Sequence, residues 1–278
     1  MIKLLAVDLD GTLFYPKRKI RVMTSKNRKF LTSFTKNGGR LVVVSGRNYQ
    51  TAKMISKKIN CNVDMIACNG SAVVKNGEIC SDSPMDHELI LNFLKENQDN
   101  KAPIAWCFMS DRHPMVIVPL NPNPIIGFIV RVGMRLQFKY CENFVYGKKH
   151  LVKLLADKDA RIYKMMAIYG YGASKKELAR QETLKYLDAY GTKFEVLWSN
   201  ESVEFMNKGV NKANALKTFI NVLNLKNEEI AVVGDSGNDV PLFETFSNSF
   251  VMAQAPDEVK SKAKTIIKGV YCVEDYIK

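Results

Sequence analysis

The chain of 278 residues is 46% hydrophobic and 25% charged, which is ordinary globular composition and excludes a disordered or collagen-like protein. Its formal net charge is +13, and no apolar run approaches the ~20 residues that a membrane-spanning helix needs. Asp8 and Asp10 interrupt the N-terminal apolar run too early for a signal peptide. The six cysteines include no CxxC pair, which predicts reduced, mostly buried thiols, so we expect a soluble, cytoplasmic protein with no membrane partner.

The first third of the chain alternates predicted strands with predicted helices. RLVVVS is a continuous apolar, β-branched run of the kind that is buried on both faces of a sheet. Thr24 or Ser25 can cap the first helix, and Gly38–Gly39 ends it. The predicted elements are strand Lys3–Asp8, helix 25–37, strand Arg40–Ser45, helix Tyr49–Ile59 and strand Asp64–Asn69. Strands that alternate with helices of this length predict a parallel sheet.

The pattern changes from Ser71 onward. Asn76–Gly77 predicts the turn of a hairpin over Ser71–Cys80, and prolines punctuate the stretch that follows. The predicted elements are helix Asp86–Asn97, strands Ile104–Ser110, Met115–Leu120, Ile125–Val132 and Gln137–Tyr140, helix Lys148–Ala156, strand Arg161–Tyr169, helix Ser174–Ala189, and strands Lys193–Trp198 and Ser202–Met206. Runs of strands mixed with a few helices indicate an antiparallel α+β unit.

The alternation of helix and strand resumes near Lys208. The predicted elements are helix Lys212–Leu223, strand Glu229–Gly234, a short helix after Asn238, strand Ser249–Ala253 and helix Pro256–Ala263. The predicted fold class is therefore α/β, with a doubly wound, Rossmann-like parallel sheet built from residues 1–82 and 208–278. Residues 83–207 form an inserted α+β domain in this interpretation.

The positive charge is concentrated near the N-terminus. Residues 1–82 carry 15 Lys and Arg against 5 Asp and Glu, whereas residues 208–278 carry nine of each. The segment Pro16–Lys29 contains no acidic residue. Two kinds of interpretation remain open: a nucleic-acid surface, and either a solvated basic face or a general attraction for anionic metabolites. We favour the second.

Polar residues follow the predicted core strands, where ligands bind in open α/β sheets. Asp8 and Asp10 are two nearby carboxylates, which repel each other unless a cation or a proton lies between them. The Ser45 hydroxyl and the Gly46 N–H suit a phosphate oxygen. Each pattern alone also fits an ordinary structural role, an acidic helix cap in the first case and a Ser/Gly turn in the second.

Two further polar patterns lie in the last part of the chain. Lys212 stands at the start of a predicted helix, where a bound anion would offset the unfavourable helix dipole, although an exposed lysine is the simpler interpretation. Asp235, Asn238 and Asp239 follow the strand EIAVVG and offer the oxygen ligands that Mg²⁺ prefers. A polar helix cap is the alternative for this second pattern.

Taken together, these motifs resemble the haloacid dehalogenase superfamily in its Cof-type branch. DLDGTL is similar to the first motif DxDGT, VVVSGR to the second, Lys212 to the third-motif lysine and VVGDSGND to the acidic fourth motif. ACNGS and SFVMAQAPDEVKSKA resemble the Cof-type segments before the inserted cap and near the C-terminus. Ala253 and Gln254 depart from the Gly-Asn pair of that last segment.

The resemblance implies a Mg²⁺-dependent phosphatase that hydrolyses small phosphorylated metabolites, with sugar phosphates as the leading class. It implies Asp8 as a nucleophile that forms an aspartyl-phosphate, and Asp10 as the general acid and base. The implied phosphate ligands are Ser45, Gly46 and Lys212. The implied Mg²⁺ ligands are Asp8, the Asp10 carbonyl and Asp235, with support from Asn238 or Asp239. The oligomeric state is left open.

The inserted domain is expected from the resemblance to act as a lid that sets substrate specificity. Its candidate contact residues are Trp106, Arg112, His113, Lys164 and Trp198. The segment Phe14–Val22 is expected to form a basic flap beside the entrance, through Lys17, Arg18, Lys19 and Arg21.

Two other functions remain as alternatives. A phosphomutase of the phosphomannomutase type would use the same two aspartates, and a requirement for a sugar bisphosphate would distinguish it. A nucleic-acid-binding or regulatory protein would use the segment Pro16–Lys29, and its RNA binding would weaken steeply with salt. A nucleic-acid partner is the less favoured alternative, because a binding module does not need all four motifs.

Overall fold

The computed structural model describes residues 1–15, 23–121, 123–125, 127–128, 132 and 143–277. These residues form two compact units, Met1–Asp82 with Asn211–Lys278, and Ser83–Val210. The second junction follows Val210, whereas the sequence pattern suggested a junction after residue 207. Among the helices that the structure describes, none has the length and apolar character needed to cross a bilayer.

Strands and helices are numbered here separately in chain order over the described residues. The strands are β1 (Leu4–Val7), β2 (Arg40–Val44), β3 (Asp64–Ala67), β4 (Ala72–Lys75), β5 (Glu78–Asp82), β6 (Ala105–Ser110), β7 (Met115–Pro119), β8 (Phe144–Tyr146), β9 (Ile162–Ile168), β10 (Phe194–Ser199), β11 (Ser202–Asn207), β12 (Ile230–Gly234), β13 (Asn248–Met252) and β14 (Thr265–Ile267). The helices are α1 (Ser25–Lys36), α2 (Thr51–Ile59), α3 (His87–Glu96), α4 (Lys148–Ala156), α5 (Ala173–Tyr190), α6 (Lys212–Val222), α7 (Val240–Thr245) and α8 (Asp257–Lys260).

The first unit is built on one sheet with the strand order β14-β13-β12-β1-β2-β3-β4-β5. The strands from β14 to β3 run parallel, and β4 and β5 add an antiparallel edge. β1 and β12 are buried along their whole length, as continuous apolar runs predict. The predicted α/β class with a doubly wound parallel core is confirmed. The N-terminal and C-terminal segments of this unit are joined where β1 pairs with β12.

The start of α1 illustrates how local sequence sets an element. The Thr24 hydroxyl accepts a hydrogen bond from the Asn27 N–H at 3.2 Å, which satisfies one of the unpaired donors of the first turn. Phe30, Leu31 and Phe34 place apolar side chains three and four residues apart and are buried. The helix ends at Lys36, before the predicted Gly38–Gly39 stop.

The second unit is a six-stranded sheet with the order β10-β11-β9-β6-β7-β8. Its pairings are antiparallel except that β7 and β8 run parallel. Alternate residues of the strands, such as Trp106 on β6 and Phe205 on β11, pack into one apolar cluster with Phe93 of α3. The α+β character that the sequence pattern indicates is therefore present in this unit.

Some predicted elements differ from the structure. The predicted strand 125–132 is wrong, because the described residues there (Ile125, Gly127, Phe128 and Val132) are helical, and the Gly127 N–H donates to the Asn123 carbonyl at 2.9 Å. A short apolar run does not by itself separate a strand from a helix. The predicted strand Gln137–Tyr140 lies outside the described residues. The sequence pattern also missed the three-residue strands β8 and β14.

The cysteines are less buried than their apolar surroundings suggested. Of those that the structure describes, Cys68 and Cys107 are buried, Cys61 and Cys272 are half-buried, and Cys80 is exposed. Burial raises the pKa of the Cys107 thiol to about 12 despite the opposing charge of Lys164, so this thiol stays protonated near neutral pH. Cys141 lies outside the described residues.

A buried ion pair links two neighbouring strands of the second unit. Lys164 on β9 and Glu204 on β11 lie 2.9 Å apart, and their side chains are 2% and 7% exposed. We expect Glu204→Ala to lower the free energy of unfolding by about 3–5 kcal/mol, because it removes the carboxylate that offsets a buried ammonium. Urea titration measures the loss.

The exposed pair Arg180–Glu177 in the same unit provides the matched control. Glu177→Ala should cost much less, since exposed ion pairs contribute little. The double variant Lys164→Met, Glu204→Leu should recover most of the lost stability, because an apolar pair removes both charges together. Equal losses for Glu204→Ala and Glu177→Ala would contradict the assignment of the Lys164–Glu204 pair as a stabilising contact.

Candidate active site

Side chains that are distant in sequence meet at the carboxyl ends of β1, β2 and β12. Asp8 follows β1, Ser45 follows β2, and Asp235 follows β12. The three strands are parallel neighbours, and Val7 is paired with both Val43 and Val233, so the residues after them emerge at the same edge of the sheet. The chain continues this pairing for one more step, since the Asp8 N–H donates to the Val233 carbonyl at 2.9 Å.

The turn after β1 fits closely against Asp235. Gly11 has a φ of +91°, and a Cβ at this position would collide with the Asp235 carboxylate, so both the conformation and the space require glycine. Thr12 Oγ1 donates to Asp235 Oδ1 at 2.7 Å. Gln254 Nε2 donates to the Gly11 carbonyl at 2.6 Å. Gln254 is one of the two residues that depart from the Cof-type pattern, and its amide holds this turn.

Lys212 is buried at the centre of the cluster and is not the exposed lysine of the simpler interpretation. Its side chain is 1% exposed, and Nζ donates to Asp8 Oδ1 at 2.8 Å and to Asp239 Oδ1 at 2.7 Å. A third hydrogen bond reaches Asn238 Oδ1 at 3.1 Å. Burial by itself lowers the pKa of Lys212, but the carboxylates of Asp239 and Asp8 outweigh it and raise this pKa above its usual value.

The electrostatics of Asp8 favour a bound cation. Burial, together with the neighbouring carboxylates of Asp239 and Asp235, raises the pKa of Asp8 well above its usual range, although Lys212 opposes the shift. Carboxylate oxygens of Asp8, Asp235 and Asp239 lie within 4.8 Å of one another. Lys212 contacts the carboxylates of Asp8 and Asp239, and Asp235 adds a third negative charge beside them. A hard divalent cation such as Mg²⁺ fits both the excess negative charge and the oxygen donors.

Asp239 is occupied by contacts within the loop. It is fully buried, and its Oδ2 accepts the backbone N–H groups of Asp235 at 2.9 Å and Ser236 at 3.1 Å, while Oδ1 accepts from Lys212. Asn238 Oδ1 accepts from the Ser236 hydroxyl at 2.8 Å as well as from Lys212. These contacts hold the loop after β12 and orient the ammonium of Lys212.

Asp10 differs from Asp8 in partner and in exposure. Its side chain is 40% exposed and forms a two-point contact with Arg47, whose side chain is 9% exposed. The chain leaves β1 at Val7 and enters the tight turn that contains Gly11, so strand alternation does not relate the side chains of Asp8 and Asp10. Arg47 belongs to the motif VVVSGR, and an arginine in the loop three residues after the end of β2 is the sequence signal that points to this contact.

The loop after β2 is stabilised by hydrogen bonds from the neighbouring loop after β3. Ser45 is 2% exposed, its Oγ accepts the Arg47 N–H at 3.3 Å, and its carbonyl accepts the Asn69 N–H at 3.1 Å. Gly46 lies between Ser45 and Arg47 in this loop and is half-buried. Asn69 is buried with a φ of +59° and contacts the Asn238 amide at 3.5 Å, so the motif CNG also contributes to the cluster.

The candidate contact residues of the inserted domain belong to the second unit. In the second unit, Trp106 packs in the apolar cluster, Lys164 is paired with Glu204, and Arg112 is paired with Asp157 at 2.8 Å. His113 is half-buried, and Trp198 Nε1 donates to the Asn200 carbonyl at 2.7 Å. The basic flap residues Lys17, Arg18, Lys19 and Arg21 lie outside the described residues.

The sequence pattern of haloacid dehalogenase-like hydrolases matches residues 5–270. The chain therefore belongs to this family of hydrolases. It is 23% identical over 288 residues to the 5-amino-6-(5-phospho-D-ribitylamino)uracil phosphatase YwtE of Bacillus subtilis, and the match covers 96% of this chain and 93% of that protein. It is also 23% identical over 282 residues to the phosphatase YwpJ of the same organism, with 95% and 94% covered.

Solved structures share the fold. A haloacid dehalogenase-like hydrolase from B. subtilis has a TM-score of 0.80 at 20% identity, and the match covers 100% of both chains. A haloacid dehalogenase-like hydrolase from Bacteroides thetaiotaomicron has a TM-score of 0.78 at 20% identity, again with 100% of both chains covered. The resemblance inferred from the four motifs is confirmed at the level of the family and the fold.

Proposed function

We propose that this protein is a Mg²⁺-dependent phosphatase that hydrolyses the monophosphate esters of small metabolites through an aspartyl-phosphate on Asp8. The observation that carries the proposal is the contact of Asp8 with the buried Lys212 inside a cluster of three carboxylates at the carboxyl edge of the sheet. The family and its phosphatase relatives support the reaction class. Sugar phosphates are the substrate class that we favour.

Asp8 acts as the nucleophile in this proposal. One carboxylate oxygen attacks the phosphorus atom in line with the ester oxygen, which leaves as the alcohol, and the phosphoryl group becomes an acyl-phosphate on Asp8. Lys212 holds Asp8 Oδ1 at 2.8 Å, which restricts the rotation of the carboxylate. Water then attacks the acyl-phosphate and releases inorganic phosphate.

Asp10 moves the protons of both steps. It donates a proton to the leaving ester oxygen in the first step, and in the second it accepts a proton from the attacking water. Its position two residues after Asp8 and its greater exposure suit a group that must reach the leaving oxygen and exchange protons with solvent. Ser45 Oγ and the Gly46 N–H bind the phosphoryl oxygens. The Lys212 ammonium, whose three N–H groups are held by Asp8, Asn238 and Asp239 in the free protein, would turn one N–H to a phosphoryl oxygen and offset the charge that develops there.

The residues that would hold Mg²⁺ are Asp8, the Asp10 carbonyl and Asp235. Asn238 would support them through the contacts of its Oδ1 with Lys212 and Ser236. Asp239 belongs to the same cluster, and its contacts with Lys212 and with two backbone N–H groups give it mainly an orienting role. A bound Mg²⁺ supplies charge neutralisation between the Asp8 carboxylate and an anionic phosphate. Thr12 and the turn at Gly11 keep Asp235 in place for this contact.

The first experiment is a hydrolysis assay on p-nitrophenyl phosphate and a panel of phosphorylated metabolites. We expect turnover with Mg²⁺, its loss in excess EDTA, and its return when Mg²⁺ is added back. Ca²⁺ should restore little activity, because its looser and higher coordination misplaces the Asp8 carboxylate. Phosphate release is measured.

Two results would argue against the proposed function. Full activity in excess EDTA would exclude the role of the carboxylate cluster as a Mg²⁺ site. Turnover that requires a sugar bisphosphate and yields a phosphorylated isomer, with no free phosphate, would indicate a phosphomutase. The variant Asp257→Asn, in an exposed acid on α8, is the control for nonspecific effects of removing a carboxylate.

A further inference from the structure

We infer that Arg47 is a positioning residue for Asp10, and this inference rests on the phosphatase function proposed above. Arg47 Nε donates to Asp10 Oδ2 at 2.6 Å, and Arg47 Nη2 donates to Asp10 Oδ1 at 2.8 Å. Each carboxylate oxygen thus has its own nitrogen. A two-point contact of this kind fixes the plane and the rotation of a carboxylate, whereas a single hydrogen bond fixes only its distance.

Arg47 is itself held firmly. Its side chain is 9% exposed, its backbone N–H donates to Ser45 Oγ at 3.3 Å, and its carbonyl accepts the Cys68 N–H at 2.8 Å. A guanidinium on a buried and hydrogen-bonded loop has little conformational freedom left to lose when it binds a carboxylate. Asp10, by contrast, is 40% exposed and lies beside the turn at Gly11. The restraint on Asp10 therefore comes from the Arg47 side.

The same loop carries the proposed phosphate ligands. Ser45 and Gly46 come immediately before Arg47, so one short segment would bind the phosphoryl group and orient the acid that protonates its leaving oxygen. Proton transfer depends on this geometry, and a misplacement of about 1 Å can cost on the order of 100-fold in rate. Arg47 would thus fix the position of the Asp10 carboxylate relative to the bound phosphoryl group without contacting the substrate itself.

Leaving-group dependence separates this role from general structural support. Alkyl phosphates need a proton on the leaving oxygen, whereas p-nitrophenyl phosphate has a good leaving group and needs little help. For Arg47→Met we expect kcat to fall on the order of 100-fold with an alkyl phosphate and less than about 10-fold with p-nitrophenyl phosphate. KM should stay within about 3-fold, because a residue whose role is to position Asp10 changes the rate of proton transfer rather than substrate binding.

A double-mutant cycle tests whether Arg47 acts through Asp10. We expect Arg47→Met to add less than about 3-fold to the loss caused by Asp10→Asn, since the group that Arg47 positions is then no longer an acid. Arg47→Lys keeps the positive charge and the aliphatic stem but cannot make the two-point contact. Arg47→Lys should therefore resemble Arg47→Met in its leaving-group dependence. A third variant, Arg47→Ala, leaves space for a guanidinium ion, and added guanidinium should restore part of its rate with an alkyl phosphate.

Thermal unfolding of every variant accompanies the kinetics, and Arg47→Lys serves as the test if Arg47→Met does not fold. Equal losses on alkyl and aryl phosphates, or losses that multiply with those of Asp10→Asn, would overturn the positioning role while the wild-type activity stands. A wild-type protein that releases phosphate from no substrate in the panel would overturn the phosphatase function itself, and with it this inference. The two failures are therefore distinguished by the wild-type assay.

Discussion

Asp8→Asn is expected to abolish turnover, with kcat lowered on the order of 10⁴-fold or more. The amide keeps the shape of the side chain but cannot attack phosphorus, and nothing else in the proposed mechanism forms the covalent intermediate. Phosphate release under saturating substrate and Mg²⁺ measures the effect. Activity close to that of the wild type would indicate a different nucleophile.

The same variant should not lose stability. Because burial and the neighbouring carboxylates raise the pKa of Asp8 in the folded protein, its ionised form opposes folding at neutral pH. In the metal-free wild type, stability therefore falls as the pH rises from the ordinary aspartate pKa through the raised one. In EDTA at neutral pH, Asp8→Asn should be at least as stable as the wild type by urea titration. A large loss would mean that the amide disturbs the fold, and the kinetic result would then need Asp8→Ala or Asp8→Ser as a second test.

Lys212→Met is expected to have the second largest effect, because it removes the ammonium that contacts the buried carboxylates of Asp8 and Asp239. Loss of one partner from a buried ion cluster costs about 3–5 kcal/mol, so the free energy of unfolding in EDTA should fall by that order. We expect kcat to fall on the order of 10³-fold, since the phosphoryl oxygens lose their cationic ligand. Urea titration and phosphate release measure the two effects.

The pH dependence of the Lys212 contribution has a definite sign. The pKa of Lys212 is raised in the folded protein, so its contribution to stability is fully present below the ordinary lysine pKa and is lost only as the pH rises through the raised value. Lys217→Met, an exposed lysine on the same helix, is the matched control and should leave both stability and kcat nearly unchanged. Mg²⁺ should return part of the lost stability to Lys212→Met. If Lys212→Met kept the stability and kcat of the control Lys217→Met, the central role of Lys212 would be contradicted.

Much of the fold of the first unit could be predicted from local patterns. The run Leu41–Val44 is apolar, fully buried and rich in β-branched valine, which is typical of a strand buried on both faces. Thr24 indicated the start of α1, because its capping hydrogen bond with the Asn27 N–H involves only residues of the first turn. Residues 125–132 show the limit, because an apolar run of that length fits a strand and a helix equally well.

The sequence by itself determined that Asp8, Ser45 and Asp235 follow strands of a parallel sheet, because the apolar runs and the polar residues after them are local features. It also determined that these residues share one edge, because parallel strands end at the same edge whatever their order. Only the tertiary structure decided that Lys212 is buried against Asp8, which is 204 residues away in the chain. The same holds for the contact of Arg47 with Asp10, which are 37 residues apart. Those contacts depend on the register of β1 with β12 and β2, on the rotation of α6, and on the turn that Gly11 makes beside Asp235. Each of these contacts is stabilised by residues that are far apart in the chain, so no local sequence pattern encodes it.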